Sequence, residues 1–100
     1  MALPVALNLE GRRVVSVGGG PVSAHRVGIF LEEGAKVIVV APWLCEDLVD
    51  LVIADRITWI DRDYAGPEDL LGARFVHTAT GDPATDARVL ADSEDLGTWC

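Results

Sequence analysis

Residues 12 to 26 hold the parts from which an anion site is built. Arg12-Arg13-Val14-Val15-Ser16-Val17 reads as a short apolar strand, Gly18-Gly19-Gly20 follow directly, and Pro21-Val22-Ser23-Ala24 open a helical pattern. The strand aims the chain, and the glycines let main-chain N–H groups approach a negative charge. The helix start adds unpaired donors and the positive end of its dipole. Gly18, Gly20 and Ser23 occupy the three slots of G-x-G-x-x-G, whose third position needs a small residue for close helix–strand packing. A dinucleotide pyrophosphate is the usual guest of such a turn, and a purely structural turn is the alternative reading.

Two further segments bear on the same chemistry. The second apolar run ends in Ala41-Pro42-Trp43, where dinucleotide sites often carry an acid for the ribose 2′-hydroxyl. That acid is missing, so this position does not choose between NAD and NADP. Trp43 either flanks an adenine or belongs to the core. The fourth strand runs into His77-Thr78-Ala79-Thr80-Gly81-Asp82. In doubly wound sheets ligands lie beyond the carboxyl ends of the strands, near the switch point, so this loop should face the glycine turn. The Thr80 hydroxyl and the Gly81 backbone could then touch a nicotinamide ribose, or the segment serves only as the N-cap turn of the next helix.

Other candidates read more simply. His25 is expected to be solvated rather than to move protons or hold phosphate. Arg26 could meet an anionic substrate, but structural pairing with an acid is the expected use. Asp61 and Asp63 are read as loop acids rather than a catalytic dyad. The chain has no Ser-His-Asp order, no metal-ligand spacing and no Walker lysine, so hydrolase, metalloenzyme and kinase chemistry have little support and no metal site is expected.

These residues must be placed by the elements around them. Val14–Val17 is the first strand, residues 22–33 a helix stopped by Gly34, and residues 36–41 a second strand, apolar enough to be buried on both faces. A short amphipathic helix over 46–54 turns Leu48, Leu51 and Val52 inward. A strand at 57–60, a helical turn at 67–71 and a strand at 75–79 follow. A helix over 83–93 has Asp82 as N-cap, and Thr98-Trp99-Cys100 looks like a fifth strand beginning. The alternation predicts an α/β fold, a doubly wound parallel sheet of about five strands with right-handed crossovers in three α/β/α layers. Leu3, Val5, Leu7 and Leu9 alternate ahead of it, with Pro4 pointing to an edge or an extended arm.

The 100 residues suffice for one domain, and a hydrophobic share of 50% argues against disorder. Eight basic against sixteen acidic residues give a formal charge of −8, which disfavours a nucleic-acid surface. No apolar run approaches the roughly 20 residues that span a bilayer, and the N-terminus lacks a basic signal region. A soluble, cytoplasmic protein without membrane partners is expected. Cys45 and Cys100 match no zinc or redox spacing and read as a buried thiol and a strand thiol.

The combination of segments resembles the amino-terminal domain of siroheme synthase, the family of precorrin-2 dehydrogenases, some of which are also sirohydrochlorin ferrochelatases. The residues that carry the resemblance are Gly18 to Arg26, then Leu31-Glu32-Glu33-Gly34-Ala35-Lys36-Val37 and Val39-Val40-Ala41-Pro42. Ile57-Thr58-Trp59-Ile60, Arg62-Asp63-Tyr64, Asp69 to Ala73, Thr78 to Pro83 and Arg88-Val89 continue it. The resemblance implies a Rossmann-like NAD-binding domain over residues 1–100 and NAD-dependent oxidation of precorrin-2 to sirohydrochlorin. NAD would lie along Gly18, Gly19, Gly20, Pro21 and Val22, along Ala41, Pro42 and Trp43, and along Thr78, Ala79, Thr80 and Gly81. It also implies a tetrapyrrole substrate and a homodimer for a full-length protein.

The departures are specific. His25-Arg26 replace an Arg-Lys pair, and Asp86 stands where asparagine is common. The family's catalytic aspartate would fall beyond Cys100, with the dimerisation and substrate regions. The chain is therefore expected to be a fragment holding the fold and much of the NAD site without turnover. A non-catalytic dinucleotide-sensing module of the same fold is the alternative function, and a βα fragment that binds nothing is a third.

Overall fold

The computed structural model describes residues 6–100; the alternation at Leu3, Pro4 and Val5 lies outside them. In chain order the elements are β1 (Arg13–Val17), α1 (Pro21–Glu32), β2 (Lys36–Ala41), α2 (Glu46–Ile53), β3 (Thr58–Asp61), a 3-10 turn (Pro67–Leu70), β4 (Phe75–Thr78) and α3 (Pro83–Asp95). All pairings in the sheet are parallel, in the order β3-β2-β1-β4. β1 is central, with Val15 opposite Ile38 on one side and Val76 on the other. Among the described residues no helix is long and apolar enough to cross a membrane.

Successive strand residues point to opposite faces, so the valine-rich runs feed two cores. Val14, Val37 and Val39 pack with Val27 and Phe30 of α1 and Leu48 of α2. Val15, Val17, Ile38, Val40 and Val76 pack with Tyr64, Leu70 and Val89 on the other face. Full burial of each such side chain contributes about 1.5–3 kcal/mol, so the continuous apolar run of β2 is what a two-sided sheet demands. α1 stops where Gly34 takes φ +79°, letting the N–H groups of Gly34 and Ala35 reach back to Leu31 and Phe30.

The second face is closed by an ion pair. The Arg62 guanidinium donates both to Asp69 Oδ2, at 2.8 Å, and to Asp69 Oδ1, and the Ala65 N–H donates to Oδ2 at 2.8 Å. The Asp69 side chain is only 3% exposed. The Arg62 hydrogen bond, opposed by burial, holds this carboxyl below its ordinary range.

Three expectations need correction. The sheet has four strands, not five. Past Gly97 the chain reaches β4 only at Trp99, which bridges Phe75, while the Val76 N–H donates to the Trp99 carbonyl at 2.8 Å. One bridge is less than a strand. Neither thiol is placed as expected: Cys45, read as buried, is half-buried ahead of α2, and Cys100, read as a strand thiol, is exposed and outside any strand. Asp61 is the last residue of β3, in register with Ala41, rather than a loop acid.

Candidate functional site

At the carboxyl ends of β1, β2 and β4 lies a cleft of about 650 Å³. Gly18, Gly19, Gly20, Pro21 and Val22 form its floor. Ala41, Pro42 and Trp43 form one wall, and Ala79, Thr80 and Gly81 the other. Thr78 does not line it; this residue lines a smaller cleft on the α1 side of β4 and donates from its hydroxyl to Asp86 Oδ1 at 2.7 Å. Trp43 is 58% exposed, so it is not core, and its ring stands at the rim.

The three glycines have different reasons to be there. Gly18 takes φ +125°, and a Cβ there would sit 2.5 Å from the Ala79 carbonyl oxygen. At Gly19 a Cβ would lie 1.9 Å from the Trp43 carbonyl oxygen, and the Gly19 carbonyl accepts from the Cys45 N–H at 2.7 Å. Both positions let backbone meet backbone where two loops cross. Gly20 has φ −91°, a conformation any residue adopts, and a Cβ there meets nothing within 4 Å. The fold alone does not require glycine at this position; the open space it leaves belongs to the cleft.

Gly20 is also the N-cap of α1, with no side-chain cap and no acid in the first turn. The Ala24 N–H makes a helical bond to the Gly20 carbonyl at 3.0 Å. The N–H groups just ahead of it, on Val22 and Ser23, are those that helix geometry leaves without an intrahelical acceptor. They and the dipole favour an anion at the cleft floor. Ser23 fills the third slot fully buried, and its hydroxyl finds no partner among the described residues.

Asp86 fixes the wall formed by the β4–α3 loop. One oxygen, Oδ1, accepts from the Thr78 hydroxyl at 2.7 Å, the Thr80 hydroxyl at 2.8 Å and the Thr80 N–H at 3.1 Å. Burial works against ionisation, but these bonds prevail and hold the carboxyl below its ordinary range. The Thr80 hydroxyl also accepts from the Asp82 N–H at 3.1 Å, and Asp82 caps α3 through the Ala84 N–H at 3.2 Å. The N-cap reading of this turn is thus realised, and the hydroxyl is engaged within it.

Because all three donors reach one oxygen, an amide can replace the carboxylate. Asp86→Asn should keep a melting temperature within about 3 °C of the parent, whereas Asp86→Ala should lose about 1–3 kcal/mol, or roughly 5–15 °C. The folded carboxyl titrates below the unfolded one, so its contribution is complete above the ordinary carboxylate range. It is lost as pH falls through the lowered value. Thermal melts of both variants between neutral and acid pH check this; equal losses in Asn and Ala would mean the charge, not the acceptor, matters.

Sequence reasoning missed the far wall. Asp63, Tyr64, Thr85 and Arg88 line the cleft as well, and Asp82, foreseen only as a cap, joins them. Tyr64 donates to Asp92 Oδ2 at 2.6 Å, and the Arg88 guanidinium lies 5.4 Å from its ring centroid and donates to the Ala65 carbonyl. Burial and then the Asp92 bond push the Tyr64 hydroxyl's pKa well above its usual value. The signal available was the cluster Arg62-Asp63-Tyr64 at the polar end of β3. His25 is exposed, as expected. Arg26 is exposed too, but the expected pairing is absent: among the described residues the one ion pair is Arg62–Asp69.

Comparison with known proteins gives the family and the fold. A family model described as "Putative NAD(P)-binding" matches residues 5–100. A siroheme synthase of Stutzerimonas stutzeri (strain A1501) is 39% identical over 95 residues, which is 95% of this chain and 20% of that protein. A precorrin-2 dehydrogenase of Priestia megaterium is 38% identical over 82 residues, covering 82% of this chain and 40% of that protein. The solved structure of "SirC, precorrin-2 dehydrogenase" superposes with a TM-score of 0.81 at 35% identity, covering 89% of this chain and 44% of that one. The chain thus spans 20% and 40% of the two curated relatives.

Proposed function

The chain belongs to this NAD(P)-binding family, and from that premise we propose that residues 1–100 form the NAD-binding domain of a precorrin-2 dehydrogenase. In this reading Gly18 to Val22 hold the pyrophosphate, Ala41 to Trp43 flank the adenosine, and Ala79 to Gly81 border the nicotinamide end. Thr78 acts from behind, through Asp86. The observation that carries the reading is Gly20: a bare helix N-terminus opening onto a cleft of about 650 Å³, with no fold-internal need for glycine. That volume lies within the range of about 300–1,000 Å³ usual for cofactor sites.

NAD, when bound, would supply a hydride acceptor for the oxidation. The chain's own part is to bind and orient. The α1 N-terminus neutralises phosphate charge, the exposed Trp43 ring offers a face to the adenine, and the Asp86 clamp holds the opposite wall. The residues at the end of β2 include neither an acid for a ribose 2′-hydroxyl nor a cation for a 2′-phosphate. With a formal charge of −8, NAD should therefore bind more tightly than NADP. The family resemblance, rather than the cleft, supports a homodimeric, cytoplasmic full-length protein, and it leaves iron insertion as a second activity open.

Calorimetric titration of the 100-residue chain tests the reading. Saturable NAD binding with a weaker NADP response is expected. No binding of either would overturn it.

A further inference from the structure

We propose that Asp63, just past β3, holds the adenosine ribose of the dinucleotide and excludes a 2′-phosphate, the task that the end of β2 leaves unfilled. This rests on the dinucleotide reading above and names the residue that sets its nucleotide preference. An acid for this purpose usually comes from the second strand, and Ala41-Pro42-Trp43 supply none. β3 lies directly beside β2, with Asp61 in register with Ala41. Two residues further on, Asp63 lines the cleft together with Pro42 and Trp43. The neighbouring strand thus brings a carboxylate to the wall assigned to the adenosine.

The backbone at Asp63 is held from both sides. Arg62 turns onto Asp69, and its guanidinium also donates to the Asp63 carbonyl at 3.1 Å. On the other side Tyr64 is buried and donates to Asp92 Oδ2 at 2.6 Å. Asp63 itself is exposed between these two anchors. The Arg62 charge goes to Asp69, the one ion pair among the described residues. The Asp63 carboxylate therefore keeps its acceptor capacity and its charge for the cleft, on a backbone that needs little further ordering when a ligand arrives.

The selectivity follows from a carboxylate being an acceptor only. A ribose diol offers two O–H donors, one for each carboxylate oxygen. A 2′-phosphate replaces one donor with a group of charge about −1.5 to −2, and like charges brought together on binding repel. Arg88, the one base lining the cleft, already lies over the Tyr64 ring and donates to the Ala65 carbonyl at 3.2 Å.

The chain is titrated calorimetrically with NAD, NADP and the NAD analogue lacking the adenosine 2′-hydroxyl. The proteins are the parent, Asp63→Ala, Asp63→Asn and Glu33→Gln, each with a thermal melt. Glu33 lies at the opposite end of α1 from the cleft and controls for the loss of one negative charge. The parent should bind NAD about tenfold more tightly than the deoxy analogue, and Asp63→Ala should bind the two alike. The ratio of NADP to NAD affinity should rise about tenfold in both Asp63 variants and keep its parental value in Glu33→Gln. Should Asp63→Ala fail to melt cooperatively, the ratio in Asp63→Asn decides. An unchanged ratio in folded Asp63 variants overturns the assignment and leaves the dinucleotide reading standing. So does an equal rise in Glu33→Gln, which would make overall charge the cause, and so does a parent that binds NADP as tightly as NAD. Failure of the parent to bind any of the three overturns the dinucleotide reading and this assignment with it.

Discussion

Gly20→Val leaves the domain folded and abolishes dinucleotide binding. The new side chain meets no protein atom within 4 Å of its Cβ, and the backbone there is already in a conformation valine adopts. Losing glycine at an N-cap costs the helix no more than about 1 kcal/mol. The isopropyl group, however, stands where a diphosphate must approach the first N–H groups of α1. A drop in NAD affinity of more than about 100-fold, near 2.7 kcal/mol, is expected by calorimetry, with a thermal melt a few degrees from the parent. Gly19→Ala should do the opposite damage. Its methyl carbon would overlap the Trp43 carbonyl, so the melt falls first and binding falls with it. Unchanged NAD affinity in Gly20→Val would move the pyrophosphate elsewhere.

Val39→Asp should abolish the cooperative melt altogether. Val39 is fully buried in β2, in register with Ser16 of β1 and Trp59 of β3, and packs toward the core under α1 and α2. The change removes about 1.5–3 kcal/mol of apolar burial and inserts a carboxyl with no partner, at about 2–7 kcal/mol more even when protonated. The sum is comparable to the total stability of a domain this size, about 5–15 kcal/mol. Val39→Ala, which leaves only a small cavity, should still melt cooperatively. Circular dichroism of the two variants against the parent checks the pair, and a native-like melt for Val39→Asp would contradict the sheet order.

The legible features shared one property: their cause lay within a few residues along the chain. The glycine run between strand and helix, the unbroken apolar stretch of β2 and the cap at Asp82 all came out where local chemistry put them. What stayed hidden depends on partners far apart in sequence. Tyr64 meets Asp92, Ser16 meets His77, and Asp86 reaches back to Thr78 across a turn. No spacing rule announces such contacts. Trp43 could be read as flanking an adenine or as core because tryptophan serves both, and the fold leaves it 58% exposed. Arg26 was expected to pair with an acid, yet none lines the cleft it reaches.

The position of β1 also governs the order in which a nascent chain can close. Val14 pairs with Val37 on one flank and with Phe75 on the other. At about 5–20 residues per second, a few seconds of synthesis separate the emergence of these two partners. During that interval a valine-rich strand has one bare flank, which is a template for any extended chain nearby. Parallel pairing across so long a stretch is slow even after release. Until β4 is made, that flank of β1 therefore stays uncovered.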